Sequence, residues 1–260
     1  MTTFTLHNAR GMRVAIDAHD AGLRAWWAPD RYGRMADVLA AAAPQAPSLT
    51  GWHGGMPDEG SLLLHLSHDG LSVRLLYRLG DDGGLHLDCE ATASAGSRFQ
   101  LPVPMFNLRG RQTGVGDHVL RLAAGSYRPA GGSQGRPQEA PCDVAGSAFD
   151  FRQPAPLGAR LGWPALAGMA GFNHDFFLAD GGGLLEAACV AEPASGRVLH
   201  FASSQNGLRL RSDAGGFSCA MQPLELLPGA SARLALAYRL GVRDMEDFDI
   251  SEPISMTLNK

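Results

Sequence analysis

The chain has 260 residues, 45% hydrophobic and 18% charged, with 33 glycines and 16 prolines. That length buries a substantial core, and the composition is that of an ordinary globular protein rich in strands and turns. A formal net charge of -4 gives no electrostatic attraction to nucleic acid or to an anionic membrane surface, so neither is expected as a partner.

The opening "MTTFTLHNARGMRV" has no basic stretch followed by an apolar segment, so no signal peptide is read there. No apolar run approaches the ~18 residues of a membrane span, and a cytoplasmic location is expected. "MADVLAAAAP" holds good helix formers but stops at Pro44, which leaves a short helix or a strand and loop as its readings. In "GWHGG", glycines leave the backbone open on one side of His53 and Trp52 flanks the other, so His53 is a candidate pocket residue.

Period two then dominates. "SLLLHLSHDGLSV" is a strand turning at His68-Asp69-Gly70. "LSVRLLYRLGDDGGLHLDCEA" reads as two strands around Asp81-Asp82-Gly83-Gly84. In the second, Leu85, Leu87, Cys89 and Ala91 alternate with His86, Asp88 and Glu90, which predicts a half-buried strand. "HVLRLAA", "RVLHFASS", "LRLRS" and "ARLALAYRL" repeat the pattern. Ala123 to Gly146, rich in Gly, Pro, Ser and Gln, reads as a long loop and a candidate binding loop. Turns every ~8–12 residues predict an all-β sandwich of antiparallel sheets with little helix, in a single domain over 1–260.

The titratable residues form no familiar catalytic or metal motif. Cys89, Cys142, Cys189 and Cys219 are widely spaced, and Cys89 and Cys189 fall within strands, so they read as small buried residues. His7, His19, His65, His68, His86 and His200 read as solvated strand or turn residues, and His118 as a structural hydrogen-bonding residue. No two histidines have metal-ligand spacing; there is no HExxH, GxSxG or P-loop, and no metal or cofactor is expected. "AGFNHDFFLADGGG" places Asn173, His174 and Asp175 at the entrance of an apolar run, a candidate site wall.

Read in order, several stretches resemble the aldose 1-epimerase (galactose mutarotase) family. "APDRYGRMADVL" resembles its Pro-Asp-Arg-x-Gly…Asp-Val element, and "MFNLRG" its Tyr-Phe-Asn-Leu-x-Gly. "GSAFDFRQPAPLG" is similar to Gly-Thr-x-Phe-Asp-Phe-Arg…Leu-Gly, and "GFNHDFFL" to Gly-Tyr-Asp-His-Asn-Phe-x-Leu. "EPASGRVLHFASSQNGL" resembles Asp-Pro-x-Ser-Gly-Arg-x-Leu with the Pro-Gly that follows. The order holds from about Phe4 to Tyr238. The resemblance implies a β-supersandwich that binds a sugar in a cleft and interconverts the α and β anomers of an aldose without cofactor.

The resemblance also locates what is missing. Mutarotation needs a general base at the anomeric hydroxyl and a general acid at the ring oxygen. The family's base is a glutamate in Cys-Leu-Glu-Thr-Gln; the matching "FSCAMQP" puts Ala220 there and keeps Gln222. The family's acid histidine lies three residues before the Phe of Phe-Asn-Leu, which is Val103 here. A sugar-binding arginine segment is missing between Leu39 and Leu49. The substitutes on offer are His53, which matches a second family histidine, and the adjacent His174 and Asp175. Glu225, near the lost base, reads as a solvated strand residue.

The cleft is expected to use His53 and His174 catalytically, and Asn107, Asn173, Asp175, Arg209 and Gln222 to bind a small-molecule sugar. Asn173 stands where the family has an aspartate, and Arg209 where it has a glutamine. Arg209, with Arg109, suits a carboxylate or phosphate on the ligand. Three functions stay open: an aldose 1-epimerase with a rebuilt acid–base pair, a non-catalytic carbohydrate-binding or sensing protein, and an epimerase of a phosphorylated or acidic sugar.

Overall fold

The computed structural model describes residues 2–40, 49–110, 114–129, 140–166, 169–178 and 183–243. Strands dominate, and every strand pairing is antiparallel. Nine strands form the largest sheet, in the spatial order Ala155–Pro156, Val119–Leu122, Leu185–Ala191, Arg197–Ser203, Ser231–Val242, Gly84–Ala93, Leu71–Leu79, Ser61–His68 and His53–Asp58. A five-stranded sheet runs Cys142–Asp143, Ala124–Pro129, Asn173–Leu178, Gly207–Ser212, Phe217–Met221. The N-terminal strands Thr3–His7, Arg13–Asp17, Leu23–Pro29 and Met35–Asp37 form a third sheet, and Ser97–Phe99 pairs with Leu224–Leu226. Among the described residues the helical pieces are Leu157–Leu161 and the 3-10 turn Pro164–Leu166. Among the described residues no helix is long and apolar enough to cross a membrane.

The alternation read from sequence is the alternation of burial. Leu85, Leu87, Cys89 and Ala91 are buried, and His86, Asp88 and Glu90 between them are half-exposed. Asp69 and Gly70 both take positive φ, 47° and 78°, between the paired residues His68 and Leu71. That is the two-residue turn whose twist matches the flanking strands, and Asp-Gly is among the pairs that tolerate it.

"MADVLAAAAP" resolves in favour of a strand at Met35–Asp37, while 41–48 lie outside the described residues. The stretch read as a loop from Ala123 contains the strand Ala124–Pro129, paired with Asn173–Leu178; 130–139 lie outside the described residues. Its glycine and serine hide the period-two signal that pairing imposes. His200 is buried rather than solvated, with Nδ1 3.0 Å from the Glu186 carboxylate.

Phe106 joins three sheets. Its ring, wholly buried, lies 6.2 Å from Trp26 of the N-terminal sheet, 5.4 Å from Tyr238 of the nine-stranded sheet and 5.9 Å from Phe217 of the five-stranded sheet. Its backbone exchanges two hydrogen bonds with Phe217, at 2.7 and 2.9 Å. The Tyr238 hydroxyl donates to the Cys219 carbonyl at 3.0 Å, tying the nine- and five-stranded sheets together again. The segment before Phe106 is thereby fixed over the end of the five-stranded sheet.

Candidate functional site

A cavity of about 620 Å³ lies at that junction, within the ~300–1,000 Å³ of small-ligand pockets. Its floor is the outward face of the five-stranded sheet. Side chains on a strand alternate between faces, and residues opposite each other on neighbouring strands share a face. Asn173 pairs with Arg211, which pairs with Ser218; Asp175 pairs with Arg209, which pairs with Ala220. These two rows lie side by side on one face. Asn173, Arg209, Arg211, Ser218 and Ala220 all line the cavity. One wall is the segment Gln100–Val103 with Met105, and the other is Met169–Phe172.

The second wall depends on Gly171, whose φ is 156°; its neighbour Phe172 accepts the Ser212 backbone N–H at 3.0 Å and donates its own N–H to the Ser212 Oγ at 3.0 Å. A Cβ on Gly171 would lie 2.1 Å from the Ser212 carbonyl oxygen. Only glycine permits so close an approach.

Asp175 is buried on that same face, beside Arg209. Its carboxylate takes Nε and Nη2 of Arg209 at 2.8 and 3.1 Å, the paired geometry that fixes a guanidinium plane. Nε of Arg128 lies 3.8 Å from the same carboxylate. Asp213 lines the rim, where its Oδ1 accepts the backbone N–H groups of Gly215 and Gly216 at 2.8 and 2.9 Å.

The expected site residues separate into two groups. Asn173 and Arg209 line the cavity, and Asp175 positions Arg209. His174, between Asn173 and Asp175, points to the opposite face. It is 3% exposed, with its ring 4.4 Å from Phe149 and Nδ1 accepting the Asn173 backbone N–H at 3.1 Å. Burial pushes its pKa down to about 4, against a smaller upward pull from Asp175. His174 and Asp175 are therefore adjacent in sequence yet separated by the sheet.

His53 lies exposed on the edge strand of the nine-stranded sheet, its ring 6.0 Å from His65, away from the cavity lining. Asn107 is wholly buried; it accepts the Arg109 N–H at 3.2 Å and donates to the Gly215 carbonyl at 3.2 Å, tying two turns together behind the wall. Gln222 follows the strand Phe217–Met221 and packs on Gly207, also outside the lining. Arg109 is taken up by Glu192 and Asp117, with contacts of 2.9 and 3.0 Å. Glu225 is solvated, 3.6 Å from Arg98. His118 has the structural role expected of it, accepting the Leu108 N–H at 3.0 Å. Among the described residues, no three His, Cys, Asp or Glu side chains are grouped to hold a metal.

Val103 and Ala220, the positions that the motif resemblance matches to the family's acid and base, both line the cavity, one in its wall and one in its floor. Arg211 and Ser218 were not singled out from sequence. The alternation in "LRLRS" puts Arg211 on the face of Arg209, and the same step from Ala220 reaches Ser218.

The aldose 1-epimerase family model matches residues 62–225. Galactose mutarotase of Mus musculus is 33% identical over 141 residues, which cover 54% of this chain and 40% of the mouse protein. Aldose 1-epimerase of Escherichia coli K12 is 33% identical over 127 residues, 46% of this chain and 35% of that protein. These matches thus span less than half the length of either relative. Among solved structures, a GalM/aldose epimerase homologue from C. elegans superposes with a TM-score of 0.75 at 13% identity, covering 94% of this chain and 99% of the other. Galactose 1-epimerase from Lactobacillus acidophilus NCFM gives 0.69 at 19% identity, covering 92% and 93%. At these identities the superpositions establish a shared fold.

Proposed function

This chain belongs to the aldose 1-epimerase family, and on that premise we propose that its cavity binds a carbohydrate without catalysing mutarotation. The lining suits a sugar. Asn173, Ser212, Ser218 and the two arginines offer donors and acceptors for hydroxyl groups, while Leu101, Met105 and Phe172 offer apolar surface for the ring's C–H faces.

The observation that carries the second half is the pair Val103 and Ala220 in the lining. Neither side chain transfers a proton, and each acid–base role is worth ~10²–10⁴ in rate. No histidine lines the cavity. Among the described residues the one lining carboxylate, Asp213, is engaged by two turn amides. A base without an opposing acid leaves half of the proton exchange undone.

Polarimetry and calorimetry together test this. Fresh α-glucose and α-galactose are followed by optical rotation with micromolar protein, with heat-killed protein as the blank, and sugars are titrated into the protein. We expect heat of binding with at least one sugar and relaxation at the blank rate. Accelerated relaxation would overturn the non-catalytic half; absence of binding across a broad sugar panel would overturn the carbohydrate half.

A further inference from the structure

We propose that the sugar taken by this cavity carries an anionic group, a carboxylate or a phosphate, which Arg211 receives with Arg209 beside it; this rests on the carbohydrate reading of the cavity. Arg209 and Arg211 stand two residues apart on the strand Gly207–Ser212. At ~3.3 Å of rise per residue their Cα atoms are ~7 Å apart on one face, close enough for both guanidinium groups to reach one oxyanion.

Their surroundings differ. Arg209 is clamped through two of its nitrogens by Asp175. Arg211 is half-buried in the cavity lining and, among the described residues, makes no ion pair or side-chain hydrogen bond. The nearby carboxylates are already engaged. Asp175 is shared between Arg209 and Arg128, and Asp213 is held by the amides of Gly215 and Gly216. Three guanidinium groups thus share this face with two carboxylates.

A half-buried arginine without a counter-charge loses hydration and gains nothing in return. A carboxylate or phosphate entering the cavity supplies both the charge and the planar acceptor pair that a guanidinium fork matches. A neutral sugar offers hydroxyl acceptors but leaves the charge uncompensated.

Calorimetric titration at low salt separates the outcomes. The probes are glucose, galactose, glucuronate, galacturonate, glucose 6-phosphate and inorganic phosphate, each against the native protein and Arg211→Gln. We expect one class of anionic sugar to bind at least about tenfold more tightly than its neutral parent. Arg211→Gln should remove that margin, weakening the anionic sugars by at least about tenfold more than the neutral ones. Uronates binding alone would identify the anion as a carboxylate, and glucose 6-phosphate alone as a phosphate. Should Arg211→Gln fold poorly, salt gives the same readout on the native protein: raising it to about 0.3 M should weaken the anionic sugars and spare the neutral ones. Neutral sugars binding as tightly as anionic ones would overturn the inference and leave the carbohydrate reading standing. Inorganic phosphate binding as tightly as any sugar, or no sugar binding at all, would overturn both.

Discussion

Replacing Asp175 with asparagine removes a carboxylate that Arg209 and Arg128 share. The native carboxylate is 5% exposed and takes two charge-assisted hydrogen bonds from Arg209 at 2.8 and 3.1 Å. Asparagine keeps one acceptor but no charge. Deleting one member of a buried ion pair costs ~3–5 kcal/mol. The Arg209 side chain is 26% exposed, so water recovers part of its solvation, and about 2–3 kcal/mol remains. For a chain of this size each kcal/mol moves the thermal midpoint by ~2–4 °C. We therefore expect Asp175→Asn to melt about 4–12 °C lower. The Asp175→Asn/Arg209→Gln double variant should recover part of the loss, with a coupling energy of at least ~1 kcal/mol in a denaturant-unfolding cycle. A midpoint unchanged within about 1 °C, or strictly additive losses, would refute the clamp.

The buried histidines set an acid limit. Burial holds His174 and His118 down to about 4, whereas in the unfolded chain they titrate near 6.5. Below that value the unfolded chain binds protons that the folded chain does not. Stability is therefore full above about pH 6.5 and falls as pH drops toward 4, by on the order of 3 kcal/mol for each residue. Urea midpoints at pH 7 and 4.5 measure the fall, and NMR titration midpoints for the two rings near 6.5 would contradict it. The thiols follow the same burial. Cys89, Cys189 and Cys219 are buried and pushed up to about 12, while Cys142 is exposed. A thiol reagent at pH 8 should titrate one cysteine in the native protein and four after unfolding; more than one native thiol would contradict this packing. Gly171→Ala drives a methyl to 2.1 Å from the Ser212 carbonyl. It should cost several kcal/mol of stability, or, where the wall yields, abolish sugar binding; a variant that binds and melts normally would contradict the close approach.

Most of the fold was legible because strand alternation is a local property. The hairpin at Asp69-Gly70 and the strand from Gly84 to Ala93 follow from period two and turn chemistry alone. The strand Ala124–Pro129 was not legible, since its order comes from pairing with Asn173–Leu178 and not from its own pattern. The site divides along the same line. Period two in "NHDFFL" separates His174 from Asn173 and Asp175, but only when that stretch is read as a strand throughout and not as a loop entering one. That Val103 and Ala220 share a cavity depends on Phe106 fixing its segment to Phe217, a contact between residues more than a hundred positions apart. Whether an arginine is paired depends on its neighbours across the sheet. Arg209 and Arg211 look equivalent in "LRLRS", yet only Arg209 stands opposite Asp175.

Backbone amide shift mapping during a sugar titration tests the central claim most directly. Uniformly labelled protein is titrated with the neutral and anionic sugars used for calorimetry. We predict saturable shifts concentrated at Asn173, Arg209, Arg211, Ser218 and Ala220, with the region of His53 unmoved. Shifts gathered around His53 on the sheet edge, or no saturable shifts with any sugar, would contradict a carbohydrate site in this cavity.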